Sequence, residues 1–207
     1  MASKSTPRPP ARDRLLASAD ELFYAHGVNA VGIDRVIEHA GVAKASLYSA
    51  FGSKDELIRA YLLGRHGAWV ARIDEALEAR YDTPRERLLG VFDVLGELVA
   101  EPTYRGCAFT NASAEAEPGS SVEAVAEEFR GWVHALFGGL AEEAGATDPE
   151  QLARRLVLLY DGAATTAHMD HDPAAASDAR AVAEMLIDAA VPAAKAPRRR
   201  RAGAAAG

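Results

Sequence analysis

The stretch AGVAKASLYSAFGSKDEL, residues 40–57, decides the fold. Gly41 and Gly52 bracket a segment, Ala43 to Phe51, that is long enough for only about two helical turns. Within it Leu47 and Phe51 stand four apart and share one face, with Val42 in the turn as their partner. Ala45, Tyr48 and Ser49 stand at i, i+3, i+4 on the other face, with Lys44 and Ser46 beside them. A short helix that only packed would not need a glycine corner at each end. This one is built to be anchored on one side and presented on the other. Small residues let a backbone approach a groove, while Lys, Ser and Tyr supply donors for base edges and phosphates.

Reading outward, Ile33, Val36, Ile37 and Ala40 form the apolar stripe of a helix that stops at Gly41. Helix, glycine-containing turn and helix make the helix-turn-helix pattern. Before it, ARDRLLASADELFYAHG aligns Leu15, Leu16, Ala19, Leu22 and Phe23 and ends at Gly27. After it, SKDE reads as a capping box with Ser53 as N-cap and Glu56 three positions on. The helix from Lys54 extends to about Tyr81, with a bend expected near Gly64 to Gly67. Lys54 stands where free backbone N–H groups already favour an anion.

The remainder also reads as helix, with no alternating strand pattern and no repeat. PRERLLGVFDVLGELVA opens with Pro84 in a first turn, and RGCAFTNASAEA is a shorter helix ending before Pro118. SVEAVAEEFRGWVHALFGGLAEEAG is long, with Val122, Val125, Phe129, Trp132, Val133, Leu136 and Phe137 in one stripe. Asp148 caps a helix beginning at Pro149, and a last helix begins at Pro173. The expected fold is all-α, about nine helices. Residues 1–10 form a disordered arm, 11–53 a helix-turn-helix domain, 54–192 an effector-binding and dimerisation domain, and 193–207 a disordered basic tail.

The ordered set in FYAHGVNAVGIDRVIEHAGVAKASLYSAFGSKDELIRAYL resembles the DNA-binding domain of the TetR family of bacterial transcriptional regulators. The matching features are the aromatic and glycine ending the first helix, AGV, LY, F-x-SK and a following leucine. The resemblance covers roughly residues 12–62. It implies a recognition helix at Ala43 to Phe51, with Lys44, Ala45, Ser46 and Ser49 facing base edges or nearby phosphates. Tyr48 and Lys54 match backbone-contacting positions, and Gly32 and Ile33 match positions near phosphate. Two departures stand out. Val31 and Gly32 replace the Thr or Ser common in the family, and Ala50 replaces a frequent His, so no operator sequence carries over from a relative.

The resemblance further implies a homodimer, with recognition helices about 34 Å apart for successive major grooves. The last two long helices then supply the contacts. Leu152, Leu156, Leu159 and Ala163 are the candidates in the first, and Val182, Met185, Leu186 and Ala189 in the second. The alternative is that these stripes serve the chain's own core. The middle helices are expected to enclose a pocket for an unknown small-molecule effector. Its candidate lining is Phe92, Leu95, Tyr104, Cys107, Phe109, Asn111, Phe129, Trp132 and Val133. Asn111 and Trp132 stand out because a buried amide or indole N–H needs a partner.

Charge and composition bound the rest. The net charge is −7, divided as +2 over residues 1–66, −14 over 67–194 and +5 over 195–207. A phosphate backbone is repelled by the middle and tolerated at the N-terminal end. Cys107 is the single cysteine, which excludes an intramolecular disulfide and suits a reducing cytoplasm. No apolar run is long enough to cross a bilayer, so a cytoplasmic protein without a membrane partner is expected. HMDHD, residues 168–172, reads as a polar interhelical loop in preference to a metal site. Cys107 reads as a structural thiol in preference to a redox sensor, and PRRRR, residues 197–201, as a solvated tail. No triad, phosphate loop or paired-acid motif points to an enzyme, and no cofactor is expected. The expected function is a sequence-specific DNA-binding repressor released by an effector. The alternatives are a ligand-independent DNA-binding protein and an activator.

Overall fold

A computed structural model of the chain describes residues 8–192. Those residues contain nine α-helices and no strand. They are α1 (Ala11–His26), α2 (Ile33–Ala40), α3 (Lys44–Phe51), α4 (Lys54–Arg80), α5 (Pro84–Val99), α6 (Ala108–Glu115), α7 (Ser121–Glu143), α8 (Pro149–Met169) and α9 (Ala174–Ala190). The basic tail and residues 1–7 lie outside the described residues. Arg8 lies within them and is tied down, donating to the Gly41 carbonyl at 3.2 Å.

Local chemistry sets most boundaries. Gly41 ends α2 in the left-handed region at φ 60°, with its N–H and that of Val42 turned back on the last carbonyls of the helix. Ser53 accepts the Glu56 N–H at 3.1 Å, which is half of the box expected there. The complete box forms one helix later, where Thr83 and Glu86 cap α5 reciprocally. Asp148 accepts the Gln151 N–H at 2.9 Å and starts α8. α4 runs unbroken through Gly64 and Gly67 for 27 residues. A domain boundary drawn at residue 53 therefore falls one residue before a helix that serves both ends of the molecule.

Two regions share one continuous core. In the first, Leu15, Ala19, Phe23, Val36 and Leu47 are buried where α1, α2 and α3 cross. Val31 is fully buried there too, which accounts for an apolar residue at a position where a hydroxyl is common in the resembled family. In the second region α5 packs against α4, α7, α8 and α9. Phe92 and Phe137 meet at its centre with ring centroids 5.8 Å apart. α4 connects the regions, contacting α1 at one end and α5 and α7 further along.

Candidate functional site

The candidate reading head is α3, and its orientation follows from its anchors. Leu47 is fully buried, and Phe51 is half-buried with the Arg12 guanidinium 5.2 Å above its ring. That leaves Lys44, Ala45, Tyr48 and Ser49 exposed, with Ser46 half-buried between the faces. Gly32, the exposed N-cap of α2, stands before a half-buried Ile33, and Lys54 is half-buried at the start of α4. Lys44 is not idle. Its ammonium donates to Asp34 at 2.9 Å, and that bond holds its pKa above the ordinary lysine value. Both side chains are solvent-exposed, so the pair is weak and exchangeable for a phosphate.

Arg14 fixes the angle of this head. Its guanidinium donates to the carbonyls of Ala40 and Gly41, both at 2.9 Å, pinning the α2–α3 turn to α1. Gly41 suits this turn because its φ of 60° disfavours a side chain. Neither Arg8 nor Arg14 carried a signal in the sequence, because each acts through a contact more than 25 residues away.

A cavity of about 1380 Å³ opens between the two regions. Of the residues expected to line it, Leu95, Tyr104, Cys107, Phe109 and Phe129 do. The others do not. Phe92 and Val133 are buried in the core behind it. Asn111 is exposed, donates to the Arg105 carbonyl at 3.0 Å and borders a smaller hollow of about 420 Å³. Trp132 is half-buried and packs on His66 and Phe129 at 5.8 and 5.9 Å. The indole on the cavity wall is instead Trp69 of α4.

The sequence reading placed the cavity among the middle helices alone. It is wider than that. α1 supplies Asp13, Leu16, Asp20 and Tyr24, and α4 supplies Tyr61, Arg65, Trp69 and Arg72. Tyr160 and Asp161 of α8 complete the far wall. Burial pushes the hydroxyls of Tyr24, Tyr61, Tyr104 and Tyr160 up from the ordinary tyrosine value, so they stay neutral.

The wall is also the joint between the regions. Tyr24 receives the Arg105 N–H at 2.9 Å and donates to the Gly106 carbonyl at 3.0 Å. Arg65 lies over the Tyr24 ring at 3.6 Å while its Nε donates to Asp20 at 2.7 Å. Beside them, Glu115 at the end of α6 accepts the Asn29 N–H at 2.8 Å. Gly27 leaves room for that carboxylate, since a Cβ there would come within 2.8 Å of it.

Comparison with known proteins bears on both halves. Residues 15–61 match the model of bacterial regulatory proteins of the tetR family, and residues 84–183 match the tetracyclin repressor-like C-terminal domain. A TetR-family transcriptional regulator from Streptomyces coelicolor is 32% identical, with a TM-score of 0.83 over 88% of this chain and 96% of its own. This chain belongs to the TetR family. It is thus one of a family of DNA-binding transcriptional regulators. E. coli NemR in its reduced form shares the fold at 22% identity, with a TM-score of 0.74 over 86% of this chain and 97% of that one. Among curated relatives, the transcriptional activator FasR of Mycolicibacterium smegmatis is 34% identical over 45% of this chain and 42% of its own. The transcriptional repressor NemR of E. coli K12 is 30% identical over 50% of this chain and 53% of its own. The chain spans about half the length of the curated relatives it matches.

This TetR-family chain also bares an apolar face on α8 and α9, and it differs from the face read from sequence. Leu152, Leu156 and Ala163 are buried inside the single chain and are removed from any surface. Leu159 and Leu186 are half-buried, and Val182, Met185 and Ala189 are exposed. The large apolar side chains that α8 leaves exposed are instead Leu158, at 70%, and Met169, at 72%, with Gly162, Thr165 and Thr166 exposed between them. α8 is apolar on more than one side, and the period of 3.6 marks apolar positions without saying which side meets the core. No helix among the described residues is long and apolar enough to cross a membrane. Of HMDHD, read as an interhelical loop, His168 and Met169 belong to the last turn of α8 and only Asp170 to Asp172 lead to α9, where the Asp172 carboxylate accepts the Ala174 N–H at 2.9 Å.

Proposed function

We propose that the protein acts as a homodimer on operator DNA and that a small molecule in the cavity releases it. In this reading Lys44, Ala45, Ser46 and Ser49 face bases in the major groove. Tyr48, Lys54 and the backbone at Gly32 and Ile33 meet phosphates. Lys44 exchanges Asp34 for DNA. The dimer forms through Leu158, Leu159, Val182, Met185, Leu186 and Ala189, the apolar residues that α8 and α9 leave outside the core.

The observation that carries effector release is the shared wall. Asp13, Leu16, Asp20 and Tyr24 belong to α1, which also holds the α2–α3 turn through Arg14. A ligand that shifts α1 relative to α4 and α8 therefore changes the direction in which α3 points. The ligand works by preferring a conformation in which the two heads are mis-spaced for DNA. The relatives named above include both a repressor and an activator. Repression is the reading adopted here, and activation follows from the same machinery if the operator lies upstream of a promoter. Footprinting on the DNA flanking the gene tests the reading. Protection of a palindrome overlapping the promoter, lost on titration with a cavity ligand, is the expected result. Absence of any protected sequence would overturn it.

A further inference from the structure

Lys44 is the first residue of α3, where the helix N-terminus is already electropositive, and the first turn of α3 holds no acidic residue to offset it. The counter-charge comes from the neighbouring helix. Asp34, in the first turn of α2, accepts a hydrogen bond from the Lys44 ammonium at 2.9 Å. Arg35, next in the chain, turns to His26 instead, so Lys44 is the cation that Asp34 holds among the described residues. The Asp34 side chain is 84% exposed, so the carboxylate is open to whatever approaches α3. An acid in a first turn also suits the dipole of α2. That role does not require contact with α3, yet the carboxylate bonds Lys44.

The two charged tips occupy one place beside the exposed face of α3. A DNA atom that accepts from the Lys44 ammonium where it stands lies within about 6 Å of the Asp34 carboxylate. When Lys44 turns to DNA, that carboxylate is left at the interface without its cation. Facing a phosphate it repels, and two unit charges about 6 Å apart in water correspond to about threefold in affinity. Guanine O6 and N7 and thymine O4 only accept, so they offer it nothing. The major groove supplies donors at adenine N6 and cytosine N4, and in adenine the acceptor N7 stands beside the donor. An ionised carboxylate only accepts, which matches it to cytosine.

We propose that Asp34 is a specificity-determining residue: released by Lys44, it accepts a hydrogen bond from a cytosine amino group in the major groove and disfavours DNA that lacks one there. This rests on the reading of α3 as the helix that meets DNA. The test selects duplexes from a random-sequence library with the full chain, then follows binding of selected and random duplexes by fluorescence anisotropy. Wild type is expected to select cytosine at one fixed position of each half-site. Changing that cytosine to thymine exchanges the N4 donor for the O4 acceptor and is expected to weaken wild-type binding by about tenfold or more. Asp34→Ala is expected to lose that discrimination and to bind random duplex about threefold more tightly per head at low salt. Asp34→Asn is expected to move the selected base from cytosine to adenine, whose N6 and N7 match a side-chain amide. Lys44→Ala is expected to keep the cytosine preference. The Asp34 side chain is exposed, so these changes leave the core intact. A lower melting temperature in Asp34→Ala with the wild-type base preference assigns the residue to the α2 dipole and overturns the proposal, while α3 remains the reading helix. Loss of the cytosine preference in Lys44→Ala assigns it to the lysine and overturns the proposal likewise. Selection of no sequence by wild type overturns both the proposal and the reading beneath it.

Discussion

On the proposed α8–α9 dimer face, Leu158→Glu should weaken self-association without unfolding the chain. Leu158 is 70% exposed in the single chain, so the substitution removes nothing from the core. Fully burying a leucine contributes about 1.5–3 kcal/mol, so covering this one contributes about 1–2 kcal/mol per protomer. Two-fold symmetry counts it twice, giving about 2–4 kcal/mol, or roughly 30- to 1000-fold in the dimer Kd. Glutamate adds a charge that must be desolvated in each protomer. Sedimentation equilibrium over a range of concentrations reads the Kd directly. Leu156→Ala is the matched control, because Leu156 is fully buried on the opposite side of the same helix. It should lower stability by about 2–5 kcal/mol and leave association of the folded fraction unchanged. Operator affinity should fall with Leu158→Glu, since a monomer loses the gain from engaging two half-sites together. A Leu158→Glu protein that keeps the wild-type dimer Kd refutes the assignment of this face, as does selective loss of association in Leu156→Ala.

Other outcomes follow from particular contacts. Tyr48→Phe and Lys54→Ala should weaken binding to operator and random DNA alike, whereas changes at Lys44 or Ser49 should alter sequence preference in a binding-site selection. Tyr24→Phe removes the hydroxyl that bridges Arg105 N–H and Gly106 C=O. It should cost about 1–3 kcal/mol in urea unfolding and reduce the effect of a cavity ligand on operator affinity. Hydrogen bonding from Arg80 holds the Glu97 carboxyl below its ordinary value of 4.5. The stability this gives is full above about pH 4.5 and is lost as pH falls through the lower folded value. Glu97→Gln should therefore unfold more easily than wild type at pH 7, and the two stabilities should converge as acid protonates Glu97 in the folded chain.

Much of the candidate reading head was legible because its determinants are local. The stretch from Ala40 to Leu57 carries its own corners, its own anchors and its own cap. The outward set at 44, 45, 48 and 49 follows from placing Leu47 inside. Asn111 and Trp132 were singled out on the ground that buried donors need partners. The structure gives Asn111 an exposed position and a nearby carbonyl, and gives Trp132 a place behind Phe129 and His66. Chemistry of a residue type identifies a need, and only packing shows where that need is met.

The sequence by itself determined the all-helical course, the glycine and cap positions that end the helices, and the two faces of α3. Those depend on φ preference, hydrogen bonds between near neighbours and the period of 3.6, all written within a few residues. Tertiary structure alone decided that α1 is both a wall of the cavity and the support of the α2–α3 turn. It also decided which apolar side chains of α8 stay in the core and which are left outside it. Each of these joins residues far apart in the chain, and an apolar or charged side chain does not encode which distant surface it will meet.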